Sequence, residues 1–390
     1  MSHVRVVVLG IAGRLPFAGV AWQTLHYLEA LRRLGHTVHY VEDTGQWPLD
    51  LERNTVSGDP RYTVDYLGRV MAWAGFADRW AYCSASDGRV YGRSASDVRR
   101  LFETADVLVN VSGATALRDE HMRVPVRVYV ETDPVLPQIE VALGRRVTID
   151  HLTAHTHHFT FGENLGAADC GVPNVPLAYQ PTRQPVVLDW WTPRAGDVAD
   201  GPPLLFTTVA SWRQTVKDVV WQGEMLRWSK DERFDAVLDL PRRVRHRFEL
   251  ALATIDDRAL ARVTAHGWRV IDAIALTKDL LSYRDYVHGS SSEFTVAKAQ
   301  NVRLRSGWFS DRSACYLAAG KPVVTEDTGF GCALPTGRGL FAFRTLDDAL
   351  GAVEAIGGEY AAHAAAARDI AAEHFAAERV VGSLLARAGI

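Results

Sequence analysis

The sequence predicts an α/β protein made of two facing Rossmann-like halves with a cleft between them. Three observations carry that expectation. A β-branched run from His3 to Leu9 is followed by a helical pattern and by a second strand-like run from His36 to Val41. A stretch containing Pro173, Pro176, Pro181 and Pro185 then interrupts the chain. Beyond it the alternation of strand and helix starts again at Pro203.

The first run ends at Gly10 and has the continuous apolar character of a strand buried on both faces of a parallel sheet. From Gly19 onward, Val20, Leu25, Leu28, Leu31 and Leu34 recur at helical spacing, and Gly35 stands where a helix C-cap glycine belongs. The crossover to the second strand requires helices on the faces of the sheet. Further strands are expected at Val107 to Val111, after a helix ending in Phe102, and at Val126 to Val130. The prolines after Phe161 disfavour helix and read as a linker. The second series reads as a strand from Pro203 to Val209, a partly helical segment from Val216 to Trp228 and a strand from Phe234 to Leu238. A helix from Val244 through Ala253, a helix from Arg258 to His266 and a strand from Trp268 to Ile271 follow.

With 390 residues, 47% of them hydrophobic and 23% charged, the chain has material for two buried cores and little for a disordered tail. The balance of 43 basic and 46 acidic residues gives a formal charge of −3, where a duplex-binding domain carries a basic surplus. No nucleic-acid partner is expected on that ground. Cys83, Cys170, Cys315 and Cys332 form no Cys-x-x-Cys pair, which fits neither a disulfide framework nor a structural zinc site and points to a reducing compartment. The amino terminus lacks the pattern of an export signal, and no window approaches the roughly 18 apolar residues of a membrane span. The expectation is a cytoplasmic protein without integral membrane association.

Two segments carry the chemistry. The loop from Gly10 to Gly19 departs from the Gly-x-Gly-x-x-Gly dinucleotide fingerprint, because its second glycine is misplaced and Pro16 lengthens the turn. At the carboxyl end of a strand it is still placed to bring Gly13, Arg14, Phe17 and Gly19 to a cleft, as an acceptor-side loop. Farther on, Ser310, Asp311, Arg312 and Ser313 fall at a helix amino terminus, where free N–H groups and the helix dipole favour an anion such as phosphate. A plain N-cap by Ser310 or Asp311 accounts for the same residues without a ligand. Asp327, Thr328 and Gly329 follow the strand Pro322 to Val324, again at its carboxyl end.

The run Ala318-Ala319-Gly320-Lys321-Pro322-Val323-Val324, then Asp327-Thr328-Gly329, then Gly337-Arg338-Gly339-Leu340-Phe341, resembles the carboxyl-terminal half of GT-B glycosyltransferases. The likeness is strongest to the large retaining family, glycosyl transferases group 1, which uses nucleotide-activated sugars. It extends through Asp347-Asp348-Ala349-Leu350 and Ala372-Glu373-His374-Phe375. The resemblance implies a first domain of residues 1–185, a nucleotide-sugar-binding domain of residues 186–370, and a last helix within 371–390 that crosses back to the first domain. It also implies that Arg213 and Lys217, after the first strand of the second domain, hold the donor diphosphate with Ser310 to Ser313, and that Asp327 to Gly329 contact the sugar. That family carries two glutamates separated by seven residues before the Gly-Lys-Pro turn. Here those positions are Gly307 and Cys315, and Glu293 is taken as the replacement.

The first half is expected to supply the acceptor pocket, with Asp133 and His157 as candidate catalytic groups beside Glu293. His155, His157 and His158 lack a matched carboxylate at ligand spacing, so no metal and no cofactor is expected beyond the nucleotide sugar itself. The implied activity is a metal-independent hexosyl transfer from a nucleoside diphosphate sugar to a hydroxyl of a small-molecule or glycan acceptor. The absent glutamates keep a catalytically silent nucleotide-sugar-binding protein open as an alternative. A sugar-nucleotide epimerase of the same fold is a second. A nicotinamide dehydrogenase, suggested by Glu42-Asp43 after the second strand, is disfavoured by the broken glycine fingerprint.

Overall fold

The computed structural model describes residues 3–193 and 203–390. Two parallel sheets dominate it. The first contains, in order across the sheet, the strands Tyr179–Pro181, His157–Thr160, Val126–Glu131, Val107–Val111, Arg5–Leu9, Thr37–Glu42, Trp80–Cys83 and Val90–Gly92. Only the last pairs antiparallel to its neighbour. The second runs Arg269–Asp272, Arg247–Ala253, Leu205–Ser211, Ser292–Thr295, Val323–Glu326 and Leu340–Phe343, all parallel. In both sheets the first strand lies between the second strand and a later one. The connections on its two sides therefore leave in opposite directions, opening a crevice at the carboxyl ends of the strands.

Several segments differ from expectation. Arg247–Ala253 is a strand, not the carboxyl part of a helix. Its Leu, Ala and Glu residues favour helix in isolation, but Phe248, Leu250 and Leu252 are buried on one face of the sheet and Ala251 on the other, so tertiary packing overrides propensity. Phe234 belongs to the short helix Asp231–Asp235, whose first turn is acidic, and not to a strand. The segment after Val216 forms a hairpin, Val219–Trp221 with Glu224–Leu226, rather than a partial helix. Within the proline-rich stretch, Tyr179–Pro181 joins the edge of the first sheet, where a residue without an N–H is tolerated. Trp80–Cys83 and Val90–Gly92 add two further strands.

One hydrophobic cluster spans both halves. Trp22, Leu25 and Leu28 from the helix Ala18–Arg33 pack in the same core as Tyr283 and Val287 of Leu280–Gly289 and Tyr316 of Asp311–Ala318. The Trp22 indole N–H donates to Leu280 O at 3.1 Å. The last helix, Ala377–Arg387, lies on Ala18–Arg33, and Arg33 ties it through Glu378 at 3.1 Å. Val186 N donates to Phe375 O at 2.7 Å and Ala377 N to Val186 O at 2.9 Å, which joins the two passages of the chain between the halves.

The first loop is set by a buried carboxylate. Glu42 accepts from Gly13 N at 2.7 Å, Arg14 N at 2.5 Å and the Tyr40 hydroxyl at 2.6 Å. Burial pushes its carboxyl up to about 7 against the pull of those donors. A Cβ on Gly13 would stand 2.6 Å from Leu67 Cδ1 and 2.9 Å from Thr63 Cγ2. Gly13→Ala is accordingly expected to destabilise the protein by about 1–3 kcal/mol, read as a lower urea midpoint at unchanged slope.

Candidate active site

A cavity of about 330 Å³ lies at the carboxyl ends of the second sheet. Its floor is the end of Leu205–Ser211, its side the start of the helix Asp311–Ala318, and Phe17, Gly19 and Val20 close it from the first half. Ser310 precedes that helix without a side-chain capping bond, and the Asp311 carboxylate instead draws on the Asp311 and Arg312 backbone N–H groups of the first turn.

Three cations line it. Arg312 is tethered on three sides: Nε to Glu293 at 2.5 Å, Nη1 to Val209 O at 2.7 Å and Nη2 to Thr295 Oγ1 at 3.1 Å. Lys230 is buried, with Thr295 Oγ1 3.5 Å from its ammonium. Burial drives its pKa well below the usual lysine range, the positive Arg312 adds to this, and Glu293 opposes it. Lys298 lies 3.7 Å from the centre of the Trp228 ring and donates to Asp133 at 3.1 Å. Burial brings its pKa down to about 8 although Asp133 opposes the shift. Among the described residues lining the cavity, Asp311 is the one carboxylate. Burial raises its pKa, and the Gln23 amide of the first half donates to it at 3.4 Å. The arrangement suits a compact multivalent anion with a polar group at its edge.

Of the residues singled out from sequence, Phe17, Gly19, Ser310, Asp311 and Arg312 reach the cavity. Ser313 is buried in the same helix turn, and Gly13 and Arg14 stand behind, on Glu42. Glu293 lies beneath Arg312 as its fully buried counter-ion. Arg213 is exposed and pairs with Asp231 at 3.2 Å. Lys217 points instead to Asp133, at 2.7 Å. Asp327 accepts from Arg344 at 2.7 Å, Arg305 at 3.1 Å and Gly329 N at 2.7 Å. The Thr328 hydroxyl donates to the carbonyl of Trp308, which lines the cavity, whereas Asp327, Thr328 and Gly329 do not line it themselves. His157 begins its strand, at the amino end of the sheet opposite the cleft, and its Nδ1 meets Thr156 Oγ1 at 2.9 Å.

Lys230, Lys298 and Trp228 were not visible to motif spacing, because the hairpin Val219–Leu226 separates the first strand from the lysine that enters the cavity. One compositional signal does mark them. The chain has only five lysines, Lys217, Lys230, Lys278, Lys298 and Lys321, and arginine supplies every other cationic side chain of that kind. Three of the five meet around this cavity and Asp133.

The sequence matches no protein-family model and no curated protein sequence. Solved structures do match. An alpha-glucosyltransferase in complex with UDP and a 13-mer DNA aligns over 99% of this chain and 100% of its own, with TM-score 0.61 and 9% identity. Anabaena HepE in complex with UDP-glucose aligns over 99% and 100%, with TM-score 0.58 and 11% identity. AviGT4, a glycosyltransferase involved in avilamycin A biosynthesis, aligns over 99% and 97%, with TM-score 0.53 and 12% identity. This chain has the GT-B fold. The first match corrects one expectation: a GT-B protein of this shape is held with DNA, so the exclusion of nucleic acid from net charge does not stand. Net charge averages over the whole surface and is silent about one cleft. No helix among the described residues is long and apolar enough to cross a membrane.

The two positions at which the retaining GT-B family carries glutamate are closed here by packing. Gly307 has φ +79°, and a Cβ on it would overlap the backbone nitrogen and side chain of Asn164 from the first half. Cys315 is buried, its Sγ 3.8 Å from His26 Nε2. Gly307→Glu is therefore expected to destabilise by about 3 kcal/mol or more rather than to restore a catalytic carboxylate, read as a lowered melting temperature without added turnover.

Proposed function

We propose that this chain transfers a hexosyl group from a nucleoside diphosphate sugar to an acceptor hydroxyl, without a required metal. The convergence of Arg312, Lys230 and Lys298 at the start of the helix Asp311–Ala318 in the interdomain cleft carries the reading. The bond from the anomeric carbon to the β-phosphate oxygen breaks, and its electron pair leaves with the nucleoside diphosphate. The new bond forms to the acceptor oxygen, whose proton passes to the departing phosphate when configuration is retained. The developing charge falls among these cations, the task for which a metal serves elsewhere. The UDP and UDP-glucose held by the solved GT-B structures support the donor class. Asp311 repels a diphosphate through its side chain, so that carboxylate is assigned to the sugar hydroxyls.

A second reading, a nucleotide-sugar-binding protein without transfer, is favoured by the closure at Gly307 and Cys315. Release of free nucleoside diphosphate from a nucleotide-sugar panel separates the two. The acceptor panel includes duplex DNA carrying hydroxymethylated bases as well as small hydroxyl compounds, and saturable donor binding with no nucleotide release in any mixture would overturn transfer.

Two further outcomes are expected. Lys230→Met removes an ammonium held against its desolvation, so thermal stability is unchanged or raised, while UDP affinity by calorimetry falls roughly 10- to 100-fold. Lys298 has a pKa of about 8, below that of a free lysine, so the site keeps this charge below pH 8 and loses it above. UDP affinity is therefore level up to about pH 8 and then declines, approaching tenfold per pH unit.

A further inference from the structure

One polar contact between the halves gathers three donors on a single carboxylate oxygen. Asp133 Oδ2, in the loop after the strand Val126–Glu131, accepts from Lys217 at 2.7 Å, from Lys298 at 3.1 Å and from the Trp228 indole N–H at 2.7 Å. Trp228 lies beneath both ammonium groups, with its ring centre 3.7 Å from Lys298 and 4.9 Å from Lys217. Lys298 and Trp228 line the cavity, whereas Asp133 and Lys217 stand behind them. The adjoining residue supports the same geometry, since Trp308 of the cavity wall donates from its indole to Thr132 O at 3.0 Å. One carboxylate therefore serves two cations, and the cluster keeps a surplus positive charge on the side facing the cavity.

Resting on the donor reading above, we propose that Asp133 is a positioning residue of the donor site: supplied by the opposite half, it holds Lys298 over Trp228 at the cavity wall and divides its charge between Lys298 and Lys217. The groups that act on Lys298 are Asp133 and Asp311, which favour its charged form, and Lys217 and Lys230, which disfavour it. Removing the carboxylate leaves two lysines facing each other across one indole. Removing Lys217 gives the whole carboxylate to Lys298. The two substitutions thus act on Lys298 in opposite senses, although both disrupt the same contact between halves.

The test is a calorimetric titration of the intact chain with UDP, dTDP, GDP and ADP between pH 6 and pH 10. The wild type, Asp133→Asn and Lys217→Met are compared, with thermal melts run beside them. The midpoint of the alkaline loss of affinity is expected to fall by about one pH unit or more in Asp133→Asn and to rise in Lys217→Met. At pH 8 the first variant then binds at least several-fold more weakly than the second. A brace that only held the halves together would lower both melting temperatures and leave both midpoints in place, and that result overturns the proposal. Absence of nucleoside diphosphate binding to the wild type at every pH overturns the donor reading and the proposal together. Binding with unmoved midpoints overturns the proposal alone.

Discussion

The cleft face of the second half depends on the buried pair of Arg312 and Glu293. Glu293 sits in a strand next to the first strand of the second sheet, with no exposed surface. An isolated carboxylate there would be costly, and Arg312 relieves that cost while its remaining N–H groups bind Val209 O and Thr295 Oγ1. Two strand ends and a helix start are thereby drawn to one guanidinium. The position of the helix amino terminus, and with it the floor of the cleft, follows from that single planar fork.

Around this fixed cation the other two are held differently. Lys230 and Lys298 are desolvated and only partly compensated, so each is strained toward its neutral form. An anion placed between them would favour the charged forms that burial disfavours. The first half contributes to this balance without contributing a cation: Asp133 steadies Lys298, Gln23 steadies Asp311, and Phe17 and Gly19 close the lid of the cavity. Neither half holds a complete site.

Much of the architecture could be read from residue patterns, for local reasons. The opening strand and helix follow from unbroken β-branched and 3.6-residue periodicities, and the segment from Ser310 to Glu326 combines a cap, a glycine turn and a buried strand in sequence. What escaped was set by distant packing. Arg247–Ala253 has helix-forming composition and becomes a strand because it is enclosed near the middle of the sheet. His157 sits in a promising histidine cluster, but a parallel strand that begins there carries it away from the carboxyl-end crevice. Lys217 has the spacing that the resemblance gives a diphosphate ligand, yet it pairs with Asp133, and Lys230, beyond an inserted hairpin, lines the cavity. Gly307 and Cys315 appeared in sequence as missing acids. In three dimensions they are positions filled by the opposing half.

The scarcity of lysine acquires a further meaning from these environments. A buried arginine keeps its proton and demands a permanent counter-ion, as Arg312 demands Glu293. A lysine can surrender its proton to solvent and regain it when an anion enters. In a chain that otherwise uses arginine, keeping amines at these places gives the crevice side chains that yield a proton more readily than a free lysine does. An amine-selective acylating reagent should therefore modify this region ahead of the arginine-covered surface, and a bound diphosphate should protect it.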